Sequence, residues 1–290
     1  MKKVIIVIPV FNDWESLIKL LNEINNSIQE IKNYEFSCIV VNDSSNEKQP
    51  KISRPINLKS LTILNMKENR GHQRSNAFGL RYICDNRSFN FVILMDGDGE
   101  DRPIEIKEFI KKILHNPEIS VVAKRVKRSE GKFFQISYKL HKLITLIFTG
   151  KNINFGNFSC LTKRDVKILS TQASLWNSLS ASVKKNLKKL EEINSIRGIR
   201  YFGPSKMSVF NLVMHSFSII SVFKYQVFLR STFAIIALSF LNSFIGIYSI
   251  LLQILSVVFN LLIFTISLRD NKKALFESHL NLLDETDITH

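Results

Sequence analysis

The chain has 290 residues, enough for one large domain or one domain with an appendage, and its formal net charge is +15, which suits nucleic acid, anionic lipid or phosphorylated substrates. Residues 231–268 contain no Asp, Glu, Lys, Arg or His, which turns that charge toward a membrane, and no interleaving of aromatic and basic residues marks a nucleic-acid module. The three cysteines, at 38, 84 and 160, show no metal-ligand spacing and read as reduced thiols.

Residues 4–10 imitate a secretion signal after Lys2 and Lys3. The run is short, contains Pro9, and leads into Asn12, Asp13 and Glu15 without a small-residue cleavage site. It reads better as a buried strand over 4–8, β-branched throughout, with a loop at 9–13. Apolar residues at 14, 17, 18, 20, 21, 24, 28 and 31 have a helical period. A second strand over 36–41 ends in Asn42-Asp43-Ser44-Ser45-Asn46. A loop with Pro50 and Pro55 follows, then a strand over 61–64. Asn69-Arg70-Gly71-His72-Gln73-Arg74 opens a helix continuing through Ala77, Phe78, Leu80 and Ile83.

Phe91 to Met95 form a fourth apolar strand that runs into Asp96, Gly97, Asp98, Gly99, Glu100 and Asp101. Helix 104–114 starts after Pro103, and a fifth strand covers 120–123. Strands alternating with helices predict an α/β fold with a doubly wound, mainly parallel sheet. Ligands of such sheets bind at the carboxyl ends of the strands. Two Asp one residue apart can face one hard cation through oxygen ligands. The competing reading of 96–101 is a solvated acidic turn. The placement directly after a core strand favours a divalent-metal site for a phosphorylated ligand.

Beyond the fifth strand the composition changes. Lys124, Arg125, Lys127, Arg128 and Lys132 form a basic cluster, and 133–148 is helical and unusually apolar. Residues 157–169 read as a turn, a short strand and a helix. A charged surface helix is predicted over 181–193, then a basic loop over 197–207. Residues 207–229 fit a helix lying in a membrane interface. The 38 uncharged residues 231–268 would reach roughly 57 Å as one helix, well beyond the roughly 30 Å hydrocarbon core. Two tightly connected spans fit better, turning near 246–253, with one tilted span as the alternative. Arg230 before the stretch and Arg269, Lys272 and Lys273 after it favour both ends on the cytoplasmic side.

VIIVIPVFND at 4–13, VVNDSSN at 40–46, NRGHQRSNAFGL at 69–80 and MDGDGEDRP at 95–103 occur in the order and spacing of the inverting family 2 glycosyltransferases, which this chain resembles. KRVKRSEG at 124–131, the stretch 157–169 and RYFGPSKM at 200–207, followed by apolar hairpin helices, resemble the polyprenyl-phosphate glycosyltransferases related to dolichyl-phosphate mannose synthase. The resemblance covers nearly the whole chain. It implies a GT-A-type fold with interfacial helices and a C-terminal transmembrane hairpin. The implied division is a cytoplasmic catalytic domain over 1–206, an interfacial helix over 207–229, a transmembrane region over 230–268 and a cytoplasmic tail over 269–290.

The resemblance also assigns roles. Pro9, Phe11 and Asp13 would border the base and ribose of a nucleotide sugar, Asp43 would hold base or ribose, and Gly71 and Arg74 would line the same crevice. Asp96 would touch ribose and metal. Asp98 would be the main ligand of a Mg2+ or Mn2+ ion, with Glu100 beside it where relatives often have Gln. Arg125, Arg128, Arg200, Ser205 and Lys206 would gather phosphate groups. Asn157 stands where many relatives have Asp as a proposed catalytic base. An amide cannot take a proton at neutral pH, but a lipid phosphate needs no deprotonation to attack, so Asn157 is expected to orient that acceptor. His72 is open to phosphate contact or a surface cap role, while Trp14 and Trp176 read as packing.

These readings predict an inverting hexosyltransferase at the inner membrane, facing the cytoplasm. It would move a sugar from a UDP- or GDP-linked donor to a polyprenyl phosphate, among membrane lipids and without nucleic acid. A homo-oligomer is compatible with this. The alternatives are transfer to a hydroxyl of a lipid-linked saccharide in cell-envelope polysaccharide synthesis, and a silent membrane-tethered module that binds nucleotide sugars.

Overall fold

The structure, a computed structural model, describes residues 1–127, 132–203 and 209–289. Its centre is β1 (Lys2–Val10), whose alternating side chains feed two cores. Ile5 and Val7 join one cluster, and Val4, Ile6, Ile8 and Val10 join the other. That is the period-2 consequence of a strand buried on both faces.

Helix α1 (Trp14–Ile28) buries Leu17, Leu20, Leu21 and Ile24 on one side of the sheet. β2 (Tyr34–Asn42) and β3 (Leu58–Met66) follow, both parallel to β1 in direction. Helix α2 (His72–Asn86) covers the opposite face, with Ala77, Phe78, Leu80 and Ile83 buried as the spacing predicts. β4 (Phe91–Leu94) pairs with β1 on its other flank. A 3₁₀ turn at Pro103–Glu105 leads into α3 (Ile106–His115), which packs beside α1.

Next come β5 (Ser120–Lys127), α4 (Lys132–Thr149), β6 (Phe155–Thr162), α5 (Lys163–Leu169), α6 (Leu179–Asn186) and β7 (Leu190–Ile196). The predicted charged helix over 181–193 is therefore corrected. The helix ends at Asn186, and 190–196 is an edge strand parallel to β5. Only Ile193 and Ser195 of that strand are buried, so its backbone pairing with β5, rather than a strong local pattern, decides its conformation.

The sheet order is β7-β5-β6-β4-β1-β2-β3-β8. β6 runs antiparallel to β4 and β5. Its first residues thus meet the carboxyl ends of β4 and β5 at the edge where the loops after β1 and β2 also emerge.

Helices α7 (Val209–Ser221) and α8 (Lys224–Phe240) replace the single interfacial helix expected over 207–229, and they meet at a bend of 85°. A one-turn helix α9 (Asn242–Ile245) and Gly246 at φ 52° reverse the chain into α10 (Ile247–Ser267). The reversal spans 242–246 and so meets the predicted 246–253 only at Gly246, which supplies the positive φ that the turn needs. Among the described residues one helix, starting at Ile247, is long and apolar enough to cross a membrane on its own, and α7 with α8 reaches that length only as a bent pair. Large apolar side chains along the hairpin, among them Phe240, Phe244, Tyr248 and Leu255, are exposed.

The segment expected as a tail continues into the catalytic body. Helix α11 (Lys272–Phe276) buries Leu275 in the core beneath α2. β8 (Leu282–Asp287) adds an antiparallel strand to β3. Thr62 Oγ1 donates to Asp287 Oδ1 at 2.7 Å, and Asn65 Nδ2 donates to Asp284 Oδ1 at 2.7 Å. Glu285 accepts from Tyr82 Oη and pairs with Arg87. The hairpin leaves from and returns to one sheet.

Candidate active site

β4 delivers the chain into a turn that buries its own charges. The Asp96 N–H donates to Asp101 Oδ2 at 2.9 Å, and the Glu100 N–H donates to Asp98 Oδ1 at 3.1 Å. Gly99, at φ 87°, lies under the Tyr201 ring, and a Cβ there would overlap it. The neighbouring Gly97 passes close to the Pro9 carbonyl, 3.0 Å from where a Cβ would stand. Both glycines of the motif are thus required by close approach, and Gly99 by its backbone angle as well.

The loop after β7 straps this turn. The Gly198 N–H donates to the Glu100 carbonyl at 2.8 Å, and the Tyr201 N–H donates to the Asp98 carbonyl at 3.0 Å. Arg200 Nη1 donates to Asp98 Oδ2 at 2.8 Å, and its Nη2 pairs with Asp13. Arg197 pairs with Glu100. Tyr201 Oη donates to Glu23 Oε2 at 2.6 Å, fixing the strap to α1.

Asn157, at the start of β6, completes the cleft. Gln73 sets its orientation. The Leu179 N–H donates to Gln73 Oε1 at 2.9 Å, so Gln73 Nε2 faces Asn157 Oδ1 at 3.2 Å. This leaves Asn157 Nδ2 toward His72 Nε2 at 2.7 Å and Asp96 Oδ1 at 3.4 Å. His72 Nε2 lies 3.1 Å from Asp96 Oδ1. One nitrogen cannot serve both partners. Charged, His72 donates to Asp96; neutral, it accepts from Asn157.

Burial works against the charged form of His72, but Asp96, with Asp98 and Asp101 behind it, raises the imidazole pKa overall. Burial likewise opposes ionisation of Asp96, yet His72, Arg197 and Arg125 hold its carboxyl well below the usual range. Asp98 goes the other way, raised by burial and then by the charge of Asp96 despite Arg200. Burial raises Glu100, with Arg197 opposing. Asp101 is pushed up to about 7 by burial and by Asp96. Burial and the Asp96 charge thus work against the ionised form of Asp98, and Arg200 and Arg197 offset them only in part.

The structure brings together Asp13, Asp96, Asp98, Arg200 and Asn157 of the expected set. Arg125 lies against Gly156, next to Asn157, where its charge bears on Asp96 and Asp101. Asp43 is buried, and its two oxygens accept the N–H groups of Arg70 at 2.9 Å and Gly71 at 2.8 Å. It clamps the loop where Gly71, at φ 88°, opens α2. Phe11 is exposed at the mouth. Arg74 lies with its guanidinium over Trp176 and within reach of the Asp43 charge. Arg128, Ser205 and Lys206 lie outside the described residues. Sequence reasoning left His72 undecided and passed over Gln73, Arg197 and Tyr201. A signal existed for the first two, because they directly follow the helix-opening Gly71 at the strand-end edge.

Among the described residues no three His, Cys, Asp or Glu groups gather into a ready metal site, since Glu100 is turned to Arg197. The donor chemistry nevertheless fits a divalent cation. Asp96 and Asp98 offer hard carboxylate oxygens, and Asp98 already draws a positive charge, that of Arg200.

The family model described as glycosyl transferase family 2 matches residues 5–169. The undecaprenyl-phosphate 4-deoxy-4-formamido-L-arabinose transferase of Photorhabdus laumondii is 24% identical over 272 residues, 90% of this chain and 78% of its own. The protein of that name from Salmonella typhimurium is 25% identical over 269 residues, 90% and 77% of the two chains. The solved glucosyl-3-phosphoglycerate synthase of Mycobacterium tuberculosis, in complex with Mn2+, UDP-glucose and phosphoglyceric acid, shares the fold, with a TM-score of 0.54 at 12% identity over 78% of this chain and 80% of that one.

Proposed function

The chain belongs to glycosyl transferase family 2, and we propose that it moves a sugar from a nucleoside-diphosphate donor to a polyprenyl phosphate at the cytoplasmic face of a membrane. The observation that carries this reading is Asn157. An amide, held by Gln73 and donating toward the cleft, stands where a hydroxyl acceptor would need a base. The named activity of the sequence relatives supports it.

Asp98 and Asp96 would hold a divalent cation, which when bound neutralises charge on the diphosphate leaving group. Arg200, forked between Asp13 and Asp98, is placed to exchange carboxylate for phosphate oxygens, and Arg125 stands on the other side of Asp96. An oxygen of the acceptor phosphate forms the bond to the anomeric carbon while the bond from that carbon to the donor phosphate oxygen breaks. The electron pair leaves with the nucleoside diphosphate, and configuration inverts. No proton has to be removed. Asn157 Nδ2 acts by donating to the incoming anion, and Asp43 acts indirectly by fixing the Gly71 turn at the nucleotide end.

The exposed apolar side chains of the hairpin support a lipid surface as the setting of this chemistry. Because β8 rejoins the sheet of β3, the chain between them crosses a bilayer an even number of times. Arg230, Arg269, Lys272 and Lys273 then lie on the side of the catalytic body, the arrangement that basic flanks favour for the cytoplasm.

The test is to incubate membranes containing the full chain with polyprenyl phosphate, Mg2+ or Mn2+ and a panel of labelled nucleotide sugars. A label extracted with the lipid, and lost on adding chelator, is expected. Label transfer only to a lipid-linked saccharide would sink the reading.

A further inference from the structure

Two arginines outside the carboxylate cleft share an arrangement that the reaction above does not use. Arg74, in the first turn of α2, lies over the Trp176 ring at 5.7 Å from its centroid, and Trp176 is buried. The next residue, Asn177, donates through Nδ2 to Asp270 Oδ1 at 2.9 Å and to Ser221 Oγ at 3.0 Å. Asp270 follows Arg269, which stands just beyond the end of α10. Trp176-Asn177 and Arg269-Asp270 are thus pinned together, which brings Arg269 toward the aromatic residue that carries Arg74.

Neither guanidinium forms an ion pair among the described residues. The one side-chain hydrogen bond of Arg74 goes to the Arg70 carbonyl at 3.3 Å. Asp270 is turned to Asn177, and the Asp43 oxygens are taken by main-chain N–H groups. The charges are felt across the gap. Burial lowers the Arg74 pKa, and the positive charges of Arg269 and then Arg70 lower it further, with Asp43 opposing. Two neighbouring guanidiniums that share no ion pair are an incomplete arrangement. Their planar forks match a phosphate, and Trp176 holds one of them in place.

The location says where the anion comes from. Arg269 is exposed, and the residues before it, Phe264 and Leu268, are exposed apolar groups of α10. A ligand reaching Arg269 along that helix has an apolar tail and an anionic head. Resting on the membrane reading above, we propose that Arg74 and Arg269 form a second anion subsite that holds the phosphate of a membrane lipid at the foot of the hairpin. Polyprenyl phosphate and an anionic phospholipid share the chemistry.

The test uses the full chain and the Arg269→Gln variant, since the Arg269 side chain is exposed and makes no hydrogen bond among the described residues. In the first arm, both proteins are reconstituted in phosphatidylcholine nanodiscs and transfer is followed as polyprenyl phosphate is varied. In the second, their binding to phosphatidylcholine vesicles with and without phosphatidylglycerol is measured without donor. If polyprenyl phosphate is the occupant, Arg269→Gln raises its KM roughly ten- to a hundredfold, leaves the donor KM unchanged, and is partly rescued by Arg269→Lys. If a phospholipid is the occupant, acceptor KM is unchanged and the preference for phosphatidylglycerol vesicles falls about fivefold. Unchanged acceptor KM together with unchanged vesicle preference overturns the subsite. The vesicle arm needs no turnover, so it still tests the subsite if no donor supports transfer and the proposed function fails.

Discussion

Replacing Arg200 with alanine should move cation binding and donor binding in opposite directions. Its fork joins Asp98 and Asp13, and the three side chains are only 16%, 18% and 17% exposed, so solvent screens the contacts weakly. Opposite unit charges about 4 Å apart attract by about 4 kcal/mol at an effective dielectric near 20. Desolvation leaves a net of about 1.5–3 kcal/mol for a hydrogen bond to a charged group. A cation that takes Asp98 must first displace Arg200. Without that competitor it should bind roughly ten- to a hundredfold more tightly. The donor diphosphate, losing a guanidinium, should bind more weakly by a similar factor. Calorimetric titration of Mn2+ without nucleotide, then of donor at saturating Mn2+, separates the two. Unchanged or weaker Mn2+ binding beside intact donor binding would refute the idea that Arg200 stands in for the cation.

Asp98→Ala should abolish cation-stimulated transfer, lowering kcat/KM by at least about a hundredfold, as measured with radiolabelled donor; retained stimulation by Mn2+ would remove Asp98 from the metal assignment. Asn157→Ala should cost about fivefold, one or two neutral hydrogen bonds' worth, while Asn157→Asp should not improve transfer to polyprenyl phosphate; a large gain there would mean that the acceptor does need a base. Glu285→Ala should lower thermal stability by about 1 kcal/mol, or about 2 °C, because its bonds to Arg87 and Tyr82 are a third exposed; calorimetry of the purified chain reads this, and no shift would show that β8 contributes little through Glu285.

The first four strands could be read from the chain because each is an apolar run that stops at a polar cluster, and burial on both faces leaves little else for such runs to be. The carboxylate turn could be read for the same reason, since Asp96 and Asp98 directly follow Leu94 and Met95. β7 could not. Leu190–Ile196 is rich in Glu and Asn, and its place is set by pairing with β5, some seventy positions earlier. β8 is more extreme, exposed at every residue but the half-buried Leu282 and with partners on β3 over two hundred residues away. Within the site, individual carboxylates were legible, but their pairings were not. That Glu100 turns to Arg197 and that Arg200 spans two acids depend on where a late loop crosses an early turn.

β8 also imposes an order on biogenesis. The residues that pair with β3 are synthesised after those of the apolar hairpin, so the β3 edge is complete only once α10 has turned back toward the catalytic body. Until then Leu58–Met66 presents unpaired main-chain groups, the kind of edge that recruits other chains. A hairpin threaded through the bilayer but never returned would leave that edge open. On the membrane reading proposed above, sheet closure would follow insertion, and a protease that cleaves within β3 only in wrongly threaded chains would make an unreturned hairpin visible.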